Sequence, residues 1–305
     1  MILLYQMPKV ASRSWIEAAR PALVGEDSVP VHCHFALPRN RERIEAVHGL
    51  PSAQQTIANM LMARQMLRAG ASGWAQIQSA LQRQEKIRIV SGMRDPIARS
   101  ISLIVFMADF YGHVSCPLSP RAPMSADYVV SYLQENWRWV LERREPDQTF
   151  EWLLWYLTDA FRTWFGSELR AVFGVDVLGG SFRSSDAAQR MSTSSADVFI
   201  YRVEDMVPEA PGYARLLAHA SEFLGTTLVS FPSINTSTAR RSRALSEEVR
   251  RQFWLPDEML DTIYGEPVVQ HFYNRAEILA FKQRWSRGRI AESKSDASCQ
   301  RLRID

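Results

Sequence analysis

The sequence predicts an α/β fold: a parallel sheet flanked by helices, with a helical insertion and a helical C-terminal part. Three observations carry this. Short β-rich runs alternate with helix-period segments through roughly the first 110 residues, the pattern of strands joined by crossover helices. The first run, ILLYQ (2–6), ends in a polar turn that leads straight into a helix. The third run, IRIVSGM (87–93), is followed by Asp95 and Pro96, a capping residue and a first-turn proline.

Taken in order, ILLYQ is a buried strand, and SRSWIEAARPAL is a helix that Pro21 ends or kinks. VPVHCHF (29–35) is the second strand. SAQQTIANMLMARQML (52–67) is a helix with Ser52 as its cap, and a separate helix spans roughly 73–84. DPIARSISLIVFMADF is the helix after the third strand, and Arg99 is placed on its surface. From about Ala126 to Phe173 the chain is helical and aromatic. Trp152, Trp155, Tyr156, Phe161, Trp164 and Phe165 fall mostly at helical spacing, which reads as core before it reads as a sugar-stacking wall. ADVFIYRVED (196–205) returns to strand character. Helices are expected near 212–224, 245–262 and 275–286. Residues 1–286 then form one α/β domain with its helical insertion at about 125–173. Residues 287–305 lack apolar periodicity and are expected to be a disordered tail.

Composition narrows the function. At 46% hydrophobic and 23% charged the chain has a globular balance. Its 36 basic against 33 acidic residues suit a small anionic ligand and are too few to argue for nucleic acid. Cys33, Cys116 and Cys299 form no CxxC pair, so neither a zinc site nor a disulfide framework is indicated. The longest apolar run, ISLIVFMADF (101–110), is too short to span a bilayer. With no secretory n-region or cleavage site, the expectation is a cytoplasmic or peripherally membrane-attached protein. The Asn235-Thr236-Ser237 sequon is then expected to be silent.

The turn after the first strand carries the chemistry. In QMPKVASRSW a lysine precedes two serines at the start of a helix. A helix N-terminus offers unpaired N–H groups and a favourable dipole to an oxyanion. Lys9 adds a charge, and Ser12 and Ser14 add hydroxyl donors. The loop has no glycine and its lysine comes early, so it is not GxxxxGK[ST], and no acidic strand-end residue offers a magnesium partner. Arg94 stands at the end of the third strand, and Ser102 follows eight residues later, two turns into the next helix. An arginine there can offer a bidentate fork to a phosphate. In VHCHF, period-2 geometry puts His32 and His34 on one face, two side chains that titrate near neutral pH when unperturbed. Nothing nearby completes a metal site.

PKVASRSW resembles the 5′-phosphosulfate loop of sulfotransferases that use 3′-phosphoadenosine-5′-phosphosulfate (PAPS), and RDPIARSIS resembles their 3′-phosphate segment. The His-x-His is similar to that of carbohydrate 2-O-sulfotransferases. TWFGSELRAVFGVDV, YRVEDM and VVQHFYNRAEILAFKQRW resemble segments of bacterial sulfotransferase-like proteins linked to capsular polysaccharide synthesis. Arg13 stands where the family usually carries a smaller residue. The resemblance implies a P-loop-like sheet and a donor site of Lys9, Val10, Ala11, Ser12, Arg13, Ser14, Trp15, Arg94 and Ser102. It implies catalysis by Lys9 with His34 or His32, PAPS as co-substrate without a metal, and a carbohydrate or glycolipid acceptor. Arg240, Arg241 and Arg243 are either a solvated face or a lid over the donor phosphates. A kinase with a divergent P-loop and a non-catalytic nucleotide- or glycan-binding module are the alternatives.

Overall fold

The computed structural model describes residues 1–7, 9–23, 30–40, 42, 57–111, 125–143, 160–232 and 240–287. Ser52, Cys116, Trp152, Trp155, Tyr156, the sequon and the tail from 288 lie outside them. The strands are β1 (Ile2–Tyr5), β2 (Val31–Cys33), β3 (Ile87–Met93), β4 (Ala188–Ser192) and β5 (Ala196–Arg202). The helices are α1 (Ser12–Ala19), α2 (Ile57–Gln82), α3 (Pro96–Tyr111), α4 (Ala126–Arg143), α5 (Tyr213–Leu224), α6 (Arg240–Gln252), α7 (Asp257–Tyr264), α8 (Pro267–Phe272) and α9 (Arg275–Trp285). A π-helical turn, Phe165–Arg170, runs into a single α-turn, Ala171–Phe173.

The strands form one sheet in the order β2-β1-β3-β5-β4. All pairs are parallel except β4–β5. Strand alternation divides the core in two. Leu3, Tyr5, Cys33, Ile89, Met93, Val198 and Ile200 face one side, where α3, α4, Phe161, Trp164, Phe165 and the C-terminal helices pack. Leu4, Val90, Phe199 and Tyr201 face the other, under Trp15 of α1 and Leu216, Ala220 and Leu224 of α5. Both faces are covered, as a parallel sheet requires. The described aromatic residues of the stripe are core: Phe161, Trp164 and Phe165 are all buried. Among the described residues no helix is long and apolar enough to cross a membrane.

Several elements differ from expectation for identifiable reasons. The two helices expected over 52–67 and roughly 73–84 are one, α2. A Cβ at Gly73 would stand 2.9 Å from the Cys33 sulfur, so this glycine lets the helix lie close on β2 rather than breaking it. The helix expected over 245–262 is broken. Pro256 lacks an N–H, Leu255 before it is steered out of helix, and the Leu255 amide bonds the Trp285 carbonyl instead (2.9 Å). Arg99, placed on the surface from its sequence, is fully buried. The antiparallel edge strand β4 and the short helix α8 carry no strong local signal. Pro21 does end α1, which passes into a 3-10 turn at Arg20–Ala22.

One glycine positions the site. Gly92 pairs with Tyr201, and a Cβ there would lie 2.6 Å from the ring's Cζ. The bare strand lets the tyrosine ring lie across β3 toward β1. Gly92→Ala is expected to push the ring aside and cost about 1–3 kcal/mol, the usual penalty of overpacking. Chemical denaturation checks this, and an unchanged midpoint would show that the ring has room to move.

Candidate functional site

The site is built where β1 and β3 end. From β1 the chain crosses to β2 on one side, and from β2 it crosses back to β3 on the other. In open α/β sheets such a reversal leaves a crevice at the strands' carboxyl ends, where ligands bind. Lys9 follows β1 and Arg94 follows β3, so the two motifs flank that crevice. They also touch: Arg94 Nη1 donates to the Lys9 carbonyl at 3.1 Å.

The loop into α1 is held in an uncommon backbone. Lys9 and Ala11 have φ of 69° and 63°, left-handed values that cost a residue with a side chain roughly 1–2 kcal/mol each. Its neighbours fix it there. The Tyr201 hydroxyl bonds the Val10 carbonyl and donates to Gln6 Oε1 at 2.9 Å. Gln6 Nε2 donates to Ser12 Oγ at 2.8 Å. That contact uses a lone pair of Ser12 and leaves its hydroxyl proton to donate elsewhere. Left-handed residues within a turn gather successive N–H groups into a concavity suited to an anion. Helix α1 opens at Ala11 with no side-chain cap. Its first-turn amides are therefore available to a ligand.

Cations converge on the same place. Burial, then the charge of Arg94, then that of Arg13, lowers the Lys9 ammonium from its ordinary value to about 8. Its Nζ rests 4.4 Å over the Phe106 ring. Phe106 is one turn beyond Ser102 on α3, so the half-buried Ser102 lies on the Lys9 side of that helix. Arg13 is exposed. Burial, and after it the charge of Arg94, lowers Arg250 on α6, so a further arginine lies near the crevice. Asp95 does not neutralise Arg94. Its carboxylate instead caps α3 through the Ile97 amide (3.1 Å) and accepts from Tyr264 Oη (2.8 Å) and Trp285 Nε1 (2.9 Å).

His32 stands on the neighbouring strand, β2, and His34 directly after it, so the strand expected over 29–35 ends earlier, at Cys33. Their rings meet edge-on with centroids 4.7 Å apart. His34 Nδ1 bonds the Gln6 carbonyl at 2.7 Å. A carbonyl only accepts, so Nδ1 carries the hydrogen and Nε2 keeps its lone pair. Burial lowers the His34 pKa, and the positive charge of Lys9 lowers it further against the pull of the Gln6 bond. Burial and His34 push His32 down to about 3, and its Nε2 is buried without a partner. Both rings are therefore neutral at pH 7, but only His34 has its tautomer set by a bond.

The segment after His34 is tied down by the π-helical turn. Trp164 Nε1 donates to the His34 carbonyl at 3.0 Å. The buried Glu168 carboxylate accepts from the Tyr5 hydroxyl, the Asn40 amide, and the Ala36 and Leu37 N–H groups. Burial raises its pKa to about 8 despite those two backbone bonds.

Of the residues singled out from sequence, the structure brings together Lys9, Val10, Ala11, Ser12, Arg94 and His34, with Ser14 half-buried on the first turn of α1. Trp15 is placed away from the concavity. Its amide bonds the Ala11 carbonyl (3.2 Å), and its indole is buried against Phe199, Tyr201 and Phe231. Exposed Arg243 pairs with Glu247 at 2.8 Å, the behaviour of a solvated face, while the side chains of Arg240 and Arg241 lie outside the described set. Sequence reasoning missed Gln6, Tyr201, Phe106, Glu168 and Arg250. Only Phe106 had a local signal, its one-turn spacing from Ser102. Among the described residues no group of three or more His, Cys, Asp or Glu is placed to hold a metal. No protein-family model, curated protein or solved structure matches the chain.

Proposed function

We propose that the protein is a sulfotransferase that moves a sulfuryl group from PAPS to a hydroxyl of a carbohydrate or glycolipid. The observation that carries this reading is the meeting of the Lys9 loop with Arg94 across the crevice. The motif resemblance and the neutral His34 beside the loop support it. In this reading the ligand carries two anionic groups. The Val10–Ser14 turn suits the phosphosulfate, and Arg94 with Ser102 suits the 3′-phosphate.

In this reading His34 Nε2 removes the acceptor's proton. Lys9 and the loop amides hold the negative charge that develops on the bridging oxygen as it leaves, where preorganised donors have their largest effect. Arg94 and Ser102 orient the donor and do no chemistry. The protein's own residues supply the proton acceptor and the electrostatic support.

Thermal melting tests the donor. In the presence of a chelator, adenosine 3′,5′-bisphosphate is expected to raise the melting temperature, and ATP much less. Stabilisation by ATP alone, and only with magnesium, would favour a kinase. Stabilisation by the bisphosphate with no transfer to any member of a panel of bacterial glycans would favour a binding module. Arg94→Ala is expected to weaken bisphosphate binding by about 1.5–3 kcal/mol, the worth of a charge-assisted contact. Calorimetric titration checks it. An unchanged affinity would remove Arg94 from the donor site.

A further inference from the structure

We propose that Lys9 is an acylation site, at which an acyl phosphate docks in the loop's anion concavity and transfers its acyl group to the lysine amine. The proposal rests on the anion site and not on sulfuryl transfer. Three observations on the geometry set Lys9 apart from the other lysines. The chain has Lys9, Lys86, Lys282 and Lys294, of which the last lies outside the described residues. Lys86 holds Asp197 at 2.7 Å, and Lys282 holds Asp261 at 2.6 Å. The charged groups acting on Lys9 are Arg94 from the β3–α3 turn and Arg13 from α1, both positive, and His34 after β2 lies within its field. The fourth element against it, α3, presents Phe106, an uncharged ring that is 37% exposed.

A lysine amine attacks only when it has lost its proton. An ammonium held by a carboxylate resists that loss, and one surrounded by cations yields it more easily. With its value lowered to about 8, a useful fraction of Lys9 is neutral near pH 7.5. The same cations that ease deprotonation attract a phosphate, so reagent and nucleophile are brought to one place. In the reaction the amine nitrogen forms a C–N bond to the acyl carbon. The bond from that carbon to the phosphate oxygen breaks, and phosphate departs with the electron pair. The proton lost from nitrogen goes to the departing phosphate, and no oxidant or reductant is needed. The amide that results carries no charge, so acylation would abolish the lysine's part in anion binding and act as an off-switch for the site.

The test is acetylation of the full chain by acetyl phosphate, followed by peptide mass spectrometry of Lys9, Lys86 and Lys282 in the same sample. Lys9 is expected to react at least about tenfold faster than either. Its rate should saturate with acetyl phosphate and fall when inorganic phosphate is added. Acetic anhydride, which has no phosphate to dock, should discriminate far less. Arg94→Ala should lower the Lys9 rate and leave Lys86 and Lys282 unchanged. Equal rates at the three lysines, or a Lys9 rate that phosphate does not suppress, would overturn the proposal. Adenosine 3′,5′-bisphosphate separates this from the donor reading. Protection by phosphate without any bisphosphate binding would leave acylation standing and remove the donor. Bisphosphate binding with no preference for Lys9 would do the reverse.

Discussion

Replacing His34 by alanine is expected to lower sulfuryl transfer by about 10²–10⁴-fold, the usual worth of a general base. Binding of adenosine 3′,5′-bisphosphate should hardly change, because His34 lies beside the loop and not on its donor atoms. The direction follows from one bond. His34 Nδ1 faces the Gln6 carbonyl at 2.7 Å and must donate, so Nε2 keeps the lone pair that the proposed base would use. His32 has the opposite character. Its Nε2 is buried without a partner, and its pKa is pushed down to about 3. His32→Ala should therefore lower the melting temperature, with activity falling in proportion to the folded fraction. The pH profile follows from the same shift. His34 has its pKa lowered, so it stays neutral, and active, to a lower pH than a free histidine would. On the acid side the rate should fall only below the ordinary histidine range. Separate measurements of melting, bisphosphate affinity and transfer are required for each variant. If both stay folded and both retain near-full transfer, neither histidine is the base.

What sequence could reveal here was local, and what it missed was mostly distant in the chain. The turn from β1 into α1 and the Asp95-Pro96 start of α3 are written in consecutive residues, and both form as expected. That Lys9 and Arg94 share a site could be guessed from a resemblance, but the contact depends on β3 lying next to β1. The parts that hold the loop in shape had no local signal. Tyr201 reaches the Val10 carbonyl across 191 positions, and Glu168 reaches Ala36 across 132. Gly73 and Gly92 show the same limit. Each is the place where another group comes close: Cys33 at one and Tyr201 at the other. Arg99 reads as surface from sequence because a charged residue is normally solvated, whereas in the fold α6 packs on α3 and the arginine is fully buried.

Asp95→Ala is expected to be the most destabilising single change near the site, by roughly 3–5 kcal/mol. The carboxylate is fully buried and joins three parts of the chain. It caps α3 through the Ile97 amide, and it accepts the Tyr264 hydroxyl of α7 and the Trp285 indole N–H of α9. Its own amide donates to Glu204 at 2.9 Å, and Glu204 accepts the Tyr273 hydroxyl at 2.8 Å. Alanine would leave the buried tyrosine and tryptophan donors unsatisfied, at about 1–3 kcal/mol each, and remove a helix cap worth about 1 kcal/mol. The losses share neighbours and will not add fully. For a chain of this size, at about 2–4 °C per kcal/mol, the melting temperature should fall by roughly 10 °C. Asp95→Asn keeps one acceptor oxygen and should fall between alanine and the parent. Arg94 precedes Asp95, so loosening this turn should also weaken bisphosphate binding, although Asp95 is bonded to the helices and not to the loop. Limited proteolysis supplies a second readout: release of α7 and α9 should make the C-terminal segment cleavable before the sheet. An Asp95→Ala protein that melted within about a degree of the parent would show that these helices are held by apolar packing alone, through Phe253, Phe281 and Trp285.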